Sequence, residues 1–72
     1  MLAKHERYII RKGNDFLMGC PYDDSAYCRW SNSPYNGWQS KSFNTAIRVA
    51  GMLGAKVVKF NRLTGDVSGG WK

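Results

Sequence analysis

Near the start of the chain, apolar and polar residues alternate as strands require. The runs Arg7, Tyr8, Ile9, Ile10, Arg11, Lys12 and Asp15, Phe16, Leu17, Met18 flank Gly13 and Asn14. A Gly-Asn pair between β-prone runs favours a two-residue hairpin turn, because both residues tolerate the left-handed backbone that such turns demand. Centred there, the register sets Lys12 opposite Asp15, Arg11 opposite Phe16, Ile10 opposite Leu17 and Ile9 opposite Met18. Ile10 and Leu17 then share one face, and Ile9, Arg11, Phe16 and Met18 share the other. So mixed a second face predicts that one side packs on a helix while the other is semi-exposed and available for contact.

Beyond the hairpin, the segment from Gly19 to Ser25, with Pro21, Tyr22, Asp23 and Asp24, reads as a loop. Ala26 to Ser31 is a candidate third strand, with Ala26, Cys28 and Trp30 on one face and Tyr27 and Arg29 on the other. Asn32–Gly37 is saturated with turn formers and predicts an exposed loop. From Phe43 the period becomes helical. Ala46, Ile47, Ala50 and Leu53 recur on one stripe, Ser42 or Asn44 can cap the start, and Gly54 stands where a left-handed C-terminal cap belongs. Gly51 inside this helix costs up to about 1 kcal/mol against Ala, which implies close approach of another backbone or simply a weak helix. Lys56–Phe60 is a strand, Leu63 to Asp66 a turn, and Asp66 to Ser68 a short returning edge.

The elements predict an α+β fold: one short helix packed on a three- to four-stranded antiparallel sheet, in the order β-β-(β)-α-β. The expected core is Ile10, Leu17, Ala46, Ile47, Ala50, Leu53 and either Val57 or Val58, with the opposite sheet face open. At 72 residues the chain is expected to be a single domain with flexible ends at about 1–6 and 68–72. An apolar content of 43% and an aromatic content of 14% are too high for a disordered chain.

Charge narrows the partners. Eleven Lys and Arg against five Asp and Glu give a net charge of +6, which favours nucleic acid, acidic protein patches or lipid head groups. The cations are dispersed, Arg11 and Lys12 being adjacent, so they form a face and not a tail. No apolar run approaches the roughly 20 residues that cross a bilayer, and Met1 to Arg7 holds no hydrophobic stretch. A cytoplasmic protein that does not bind membranes is expected. In that compartment Cys20 and Cys28 default to reduced thiols, with a disulfide as the alternative if they face each other.

Residues with chemical potential are few. His5 lies among Lys4, Glu6 and Arg7, the ordinary setting of a solvated side chain. Asp23 and Asp24 are adjacent in a loop and point apart. Cys20 and Cys28 lack the paired spacing of a structural zinc site. Gly69 and Gly70 are not followed by a helix and so make no phosphate cradle. The expectation is no enzyme, no metal and no cofactor. Trp71 is expected to fold back on the sheet or to anchor a partner.

The informative set is Tyr8, Tyr22, Tyr27, Trp30, Tyr35 and Trp38, interleaved with Arg7, Arg11, Lys12, Arg29 and Lys41. Rings stack on bases while cations neutralise phosphates, and the same mixture makes protein hot spots. Trp30 and Trp38 also read as core. The expected contact residues are Tyr8, Arg11, Lys12, Phe16, Tyr27, Arg29, Tyr35, Trp38 and Lys41.

The run Tyr8-Ile9-Ile10, Phe16-Leu17, Arg29-Trp30-Ser31, Phe43, Ala46, Ala50, Leu53-Gly54-Ala55, Val57-Val58 and Thr64-Gly65-Asp66-Val67 resembles very small bacteriophage-encoded accessory proteins. These open with a hairpin and continue through a Trp-containing loop, a short helix and a Val-rich strand. The resemblance implies a non-enzymatic protein, monomer or homodimer, that modulates or inhibits a host protein or nucleoprotein complex in a bacterial cell. Anti-CRISPR and other anti-defence proteins are among those meant. The alternative is a nucleic-acid-binding module that uses a basic aromatic sheet face. In topology alone, the chain is also similar to small modules that lay a basic sheet in the DNA major groove, with Arg7, Arg11, Arg29 and Lys41 to serve it.

Overall fold

The computed structural model describes residues 4–19, 28–35 and 37–71, and for Trp71 the backbone alone. The expected loop at Asp23 and Asp24, and Ala26 and Tyr27 of the expected third strand, lie outside the described residues. The elements are β1 (Glu6–Lys12), β2 (Asp15–Gly19), β3 (Arg29–Ser31), α1 (Phe43–Leu53), β4 (Lys56–Asn61) and β5 (Val67–Trp71). The fold is α+β, one helix on an antiparallel sheet in the order β3-β2-β1-β4-β5.

The hairpin forms where Gly13 adopts φ 62°, and its ladder pairs Arg11 with Phe16 and Lys12 with Asp15. It does not continue to Ile9 and Met18 as the sequence register predicts. Another segment enters instead: Tyr8 exchanges backbone hydrogen bonds of 2.8 and 2.9 Å with Ser40, and the Trp38 N–H donates to the Leu17 carbonyl at 2.9 Å. Gly37 permits this approach, because a Cβ there would lie 2.5 Å from the Leu17 oxygen. The segment that follows the expected loop, Trp38 to Ser40, is thus stitched into the sheet between β1 and β2.

The sheet has five strands where three or four were expected. The last strand, expected only as a short returning edge at Asp66 to Ser68, runs over Val67–Trp71 and depends on the turn before it. The Asn61 side chain accepts from the Leu63 and Thr64 N–H groups, Gly65 closes the turn at φ 80°, and the Asn61 N–H donates to the Asp66 carbonyl at 2.8 Å. The chain reverses and pairs Phe60 with Val67, Lys59 with Ser68 and Val57 with Trp71. The register shifts between Val57 and Lys59, and Gly69 takes φ 81° within that stretch. Glycine-rich Val67–Trp71 carries little strand propensity of its own, so pairing and not sequence sets its conformation.

Helix α1 is capped as its sequence requires. Ser42 accepts from the Thr45 N–H at 3.3 Å, and Gly54 ends the helix at φ 63°. Ala46 and Ala50 are fully buried, and these small side chains bring the helix close to the sheet. Gly51 has no packing role, since an added Cβ would meet nothing within 4 Å. Gly51→Ala is therefore expected to stabilise the protein by up to about 1 kcal/mol, read as a higher urea midpoint at unchanged slope.

Two apolar layers flank the sheet. Under the helix lie Tyr8, Ile10, Leu17, Ala46, Ala50, Ala55 and Val57, with Trp30, Trp38, Ile47 and Leu53 half-buried around them. On the opposite face Ile9, Val58 and Phe60 are 1%, 2% and 0% exposed, with Phe16 and Val67 packed against them. The expectation of an open second face is corrected at its centre: Val57 and Val58 are both buried, one in each layer. Ile47 and Leu53, expected in the core, sit at its margin. Cys28 is disulfide-bonded, which corrects the expectation of a reduced thiol there, and the chain's other cysteine, Cys20, lies outside the described residues. Among the described residues no helix is long and apolar enough to cross a membrane.

Candidate nucleic-acid interface

Antiparallel pairing of β1 with β4, from Glu6 opposite Asn61 to Arg11 opposite Lys56, brings the start of one strand to the end of the other. The Arg62 N–H then donates to the His5 carbonyl at 2.7 Å and ties the turn before β1 to the turn after β4. The bridge of Ser40 to Tyr8 delivers Gln39 and Lys41 to the same place. Between these segments opens a cleft of about 840 Å³.

Lys4, His5, Arg7, Lys41 and Arg62 line it, and no described Asp or Glu does. Four fixed cations on a concave wall without a carboxylate produce a focused positive potential. Arg7 is held in place: its guanidinium donates to the Lys4 carbonyl at 3.1 Å and to the Glu6 carbonyl at 2.6 Å. Both bonds use one of its nitrogens, so other N–H groups of the fork remain for a ligand.

The rim is aromatic and apolar. Tyr35 stands edge-on to Phe60, with ring centroids 5.0 Å apart and planes at 87°, yet it is 54% exposed. Its loop is braced by the Ser33 N–H donating to Ser31 Oγ at 3.1 Å and the Tyr35 N–H donating to Ser33 Oγ at 3.4 Å. The Tyr35 hydroxyl lies over Gly65, where an added Cβ would come within 2.6 Å of it. Leu63, 72% exposed, completes the rim.

Of the nine contact residues expected from sequence, Tyr35 and Lys41 meet in this cleft. Tyr8 does not join them: it is 9% exposed, and its ring packs against Phe43 at 5.3 Å, in the core. Trp38 is half-buried against the same core. Phe16 is half-buried in the second layer with the Arg11 guanidinium 6.0 Å over its ring. Arg11 and Lys12 are exposed at the hairpin end, Arg29 is exposed on edge strand β3, and Tyr27 lies outside the described residues.

Lys4, Arg62 and Leu63 are not among the contact residues expected from sequence, and His5 is expected there to be solvated. Their convergence follows from the β1–β4 register, which no local motif announces. Among the described residues no group of three or more His, Cys, Asp or Glu is placed to hold a metal ion. Comparison of the chain with protein-family models, with curated proteins and with solved structures finds no match.

Proposed function

We propose that this chain is a non-enzymatic nucleic-acid-binding module whose basic cleft holds the phosphate backbone while Tyr35 stacks on a base. One observation carries the reading: Lys4, Arg7, Lys41 and Arg62 converge on a cleft that no described carboxylate lines, with an exposed tyrosine on its rim. Cations supply affinity without sequence information, and a ring accepts any base, so binding is expected to be general in sequence and strongly salt-dependent.

Fluorescence anisotropy with labelled single-stranded DNA and RNA tests this. Dissociation constants of about 10⁻⁴ to 10⁻⁶ M are expected near 0.15 M salt. Lys41→Gln and Arg62→Gln keep the side-chain stems and remove the charges; each is expected to reduce the log-log salt slope by about 0.7, the contribution of one phosphate contact on a single strand. Tyr35→Ala is expected to weaken binding by about 1–3 kcal/mol and leave the slope unchanged, because stacking releases no counterions. Absence of binding at about 10⁻⁴ M protein overturns the proposal.

Modulation of a host protein complex draws on the same cations, with exposed Leu63 as an apolar anchor. It is the outcome if oligonucleotides fail to bind while a nuclease-treated lysate yields a stoichiometric protein partner that Leu63→Ser releases.

A further inference from the structure

We infer, resting on the reading above, that the bound strand does not end in the first cleft: a single-stranded nucleic acid continues along β1 and β4 into a second cationic cleft on the same sheet face.

Register places the two clefts on that face. Arg7 pairs with Phe60, Ile9 with Val58 and Arg11 with Lys56, and side chains at alternate positions of a strand point to one side. Arg7 and Phe60 line the first cleft, and Arg11, Lys56 and Val58 line the second, which encloses about 530 Å³. Ile9, between the clefts, and Val58, at the edge of the second, are 1% and 2% exposed with Phe16 and Val67 packed against them, so the strand passes over that half-buried cover and not over Ile9 or Val58 themselves.

The second cleft has the makings of a phosphate site. Arg11 and Lys56 reach it from this face and Lys12 from the hairpin end, and of the described acids Glu6, Asp15 and Asp66, none lines either cleft. Asp66 is engaged instead by the Thr64 hydroxyl at 3.0 Å. Arg11 is posed in advance, its Nε donating to the Gly13 carbonyl at 2.9 Å and leaving its terminal nitrogens for a ligand. Gly54 and Gly70 leave parts of the wall without side chains, and a Cβ at either would meet nothing within 4 Å, so a ligand can approach the backbone closely.

Spacing sets the ligand's length. Arg7 and Arg11 are four strand positions apart, roughly 13 Å at about 3.3 Å per residue. A stacked strand rises about 3.4 Å per nucleotide, so about four steps join the clefts. Both clefts are recesses in a molecule measuring 31 × 23 × 19 Å. A single strand with its bases turned outward reaches their floors, whereas the convex cylinder of a duplex rests on their rims.

The test compares a labelled dinucleotide, an octanucleotide and a duplex of the octanucleotide against the wild type, K41Q/R62Q and R11Q/K56Q, each verified as folded by circular dichroism. The wild type is expected to bind the octanucleotide at least about tenfold more tightly than the dinucleotide, because the second contact becomes intramolecular. R11Q/K56Q is expected to lose that length advantage and to reduce the octanucleotide salt slope by about 1.4, two contacts at 0.7 each. Should R11Q/K56Q fail to fold, K12Q/K56Q removes two charges while preserving the Arg11 bond to the turn, and the same loss is expected. If R11Q/K56Q holds the octanucleotide as the wild type does while K41Q/R62Q releases it, the strand ends in the first cleft; this inference falls and the proposed function stands. Tighter binding of the duplex than of the single strand also overturns the inference. If the wild type binds no oligonucleotide, both fall.

Discussion

Phe60→Ala is expected to remove about 3–5 kcal/mol of stability, the range for deleting a fully buried phenylalanine ring. A domain of this size holds of order 5 kcal/mol in total, so much of the population would unfold. Phe60 is 0% exposed at the centre of the layer facing away from the helix, where Ile9 and Val58 are its buried companions. Ile9 and Val58 are too small to close the void, Phe16 is only half-buried against the cluster, and the Tyr35 ring standing edge-on at 5.0 Å would lose its support. Leu53→Ala, at the margin of the other layer, is expected to cost about 2 kcal/mol, the low end of the Leu→Ala range, since part of that side chain is already hydrated. Urea denaturation of the two variants checks the ranking, and equal midpoints would refute it. Phe60→Leu retains most of the volume and is expected to fold. It would still weaken oligonucleotide binding, because an edge-to-face contact worth about 0.5–1.5 kcal/mol no longer poses Tyr35.

Gly37→Ala is expected to cost about 2–3 kcal/mol although Gly37 lies in a loop, combining overpacking with loss of a backbone hydrogen bond. An added Cβ would fall 2.5 Å from the Leu17 carbonyl oxygen, an atom of the backbone that already accepts the Trp38 N–H at 2.9 Å. Neither partner can yield without opening the seam between the loop and β2, and Trp38 would leave the core with it. Gly19→Ala is the control, because a Cβ at Gly19 meets nothing within 4 Å. Similar urea midpoints for the two variants would show that the seam has enough slack to absorb the methyl group.

The parts of the fold legible in the sequence are those that local chemistry decides. Gly13 and Asn14 gave away the turn and the pairing beside it, Gly54 marked one helix end, and the other was narrowed to Ser42 or Asn44, of which Ser42 is the cap. The stripe of Ala46 and Ala50 marked the face that packs. What escaped depends on contacts distant in sequence. Ile9 beside Ile10, and Val58 beside Val57, were the available sign that the sheet is covered on both sides, since a strand buried on both faces reads as a continuous apolar run. A one-sided sheet has room in its core for only one of Val57 and Val58, whereas this sheet buries both. β5 was only partly legible because its glycines have no preference that pairing does not impose. Tyr35 and Lys41 were recognisable by residue type, but Lys4, Arg7 and Arg62 become neighbours only once β1 and β4 pair.

In the order β3-β2-β1-β4-β5, the earliest of the described strands sits at the middle of the sheet beside a partner from near the far end of the sequence. The hairpin can close within about 1–10 µs. The β1–β4 pairing must first meet the entropy of closing the long loop between Arg11 and Lys56, so folding belongs to the slower, millisecond-to-second regime of non-local β topologies. During that wait Ile9, Val58 and Phe60 are uncovered together, and the same pairing that assembles the cationic cleft ends the interval in which the chain is most prone to self-association.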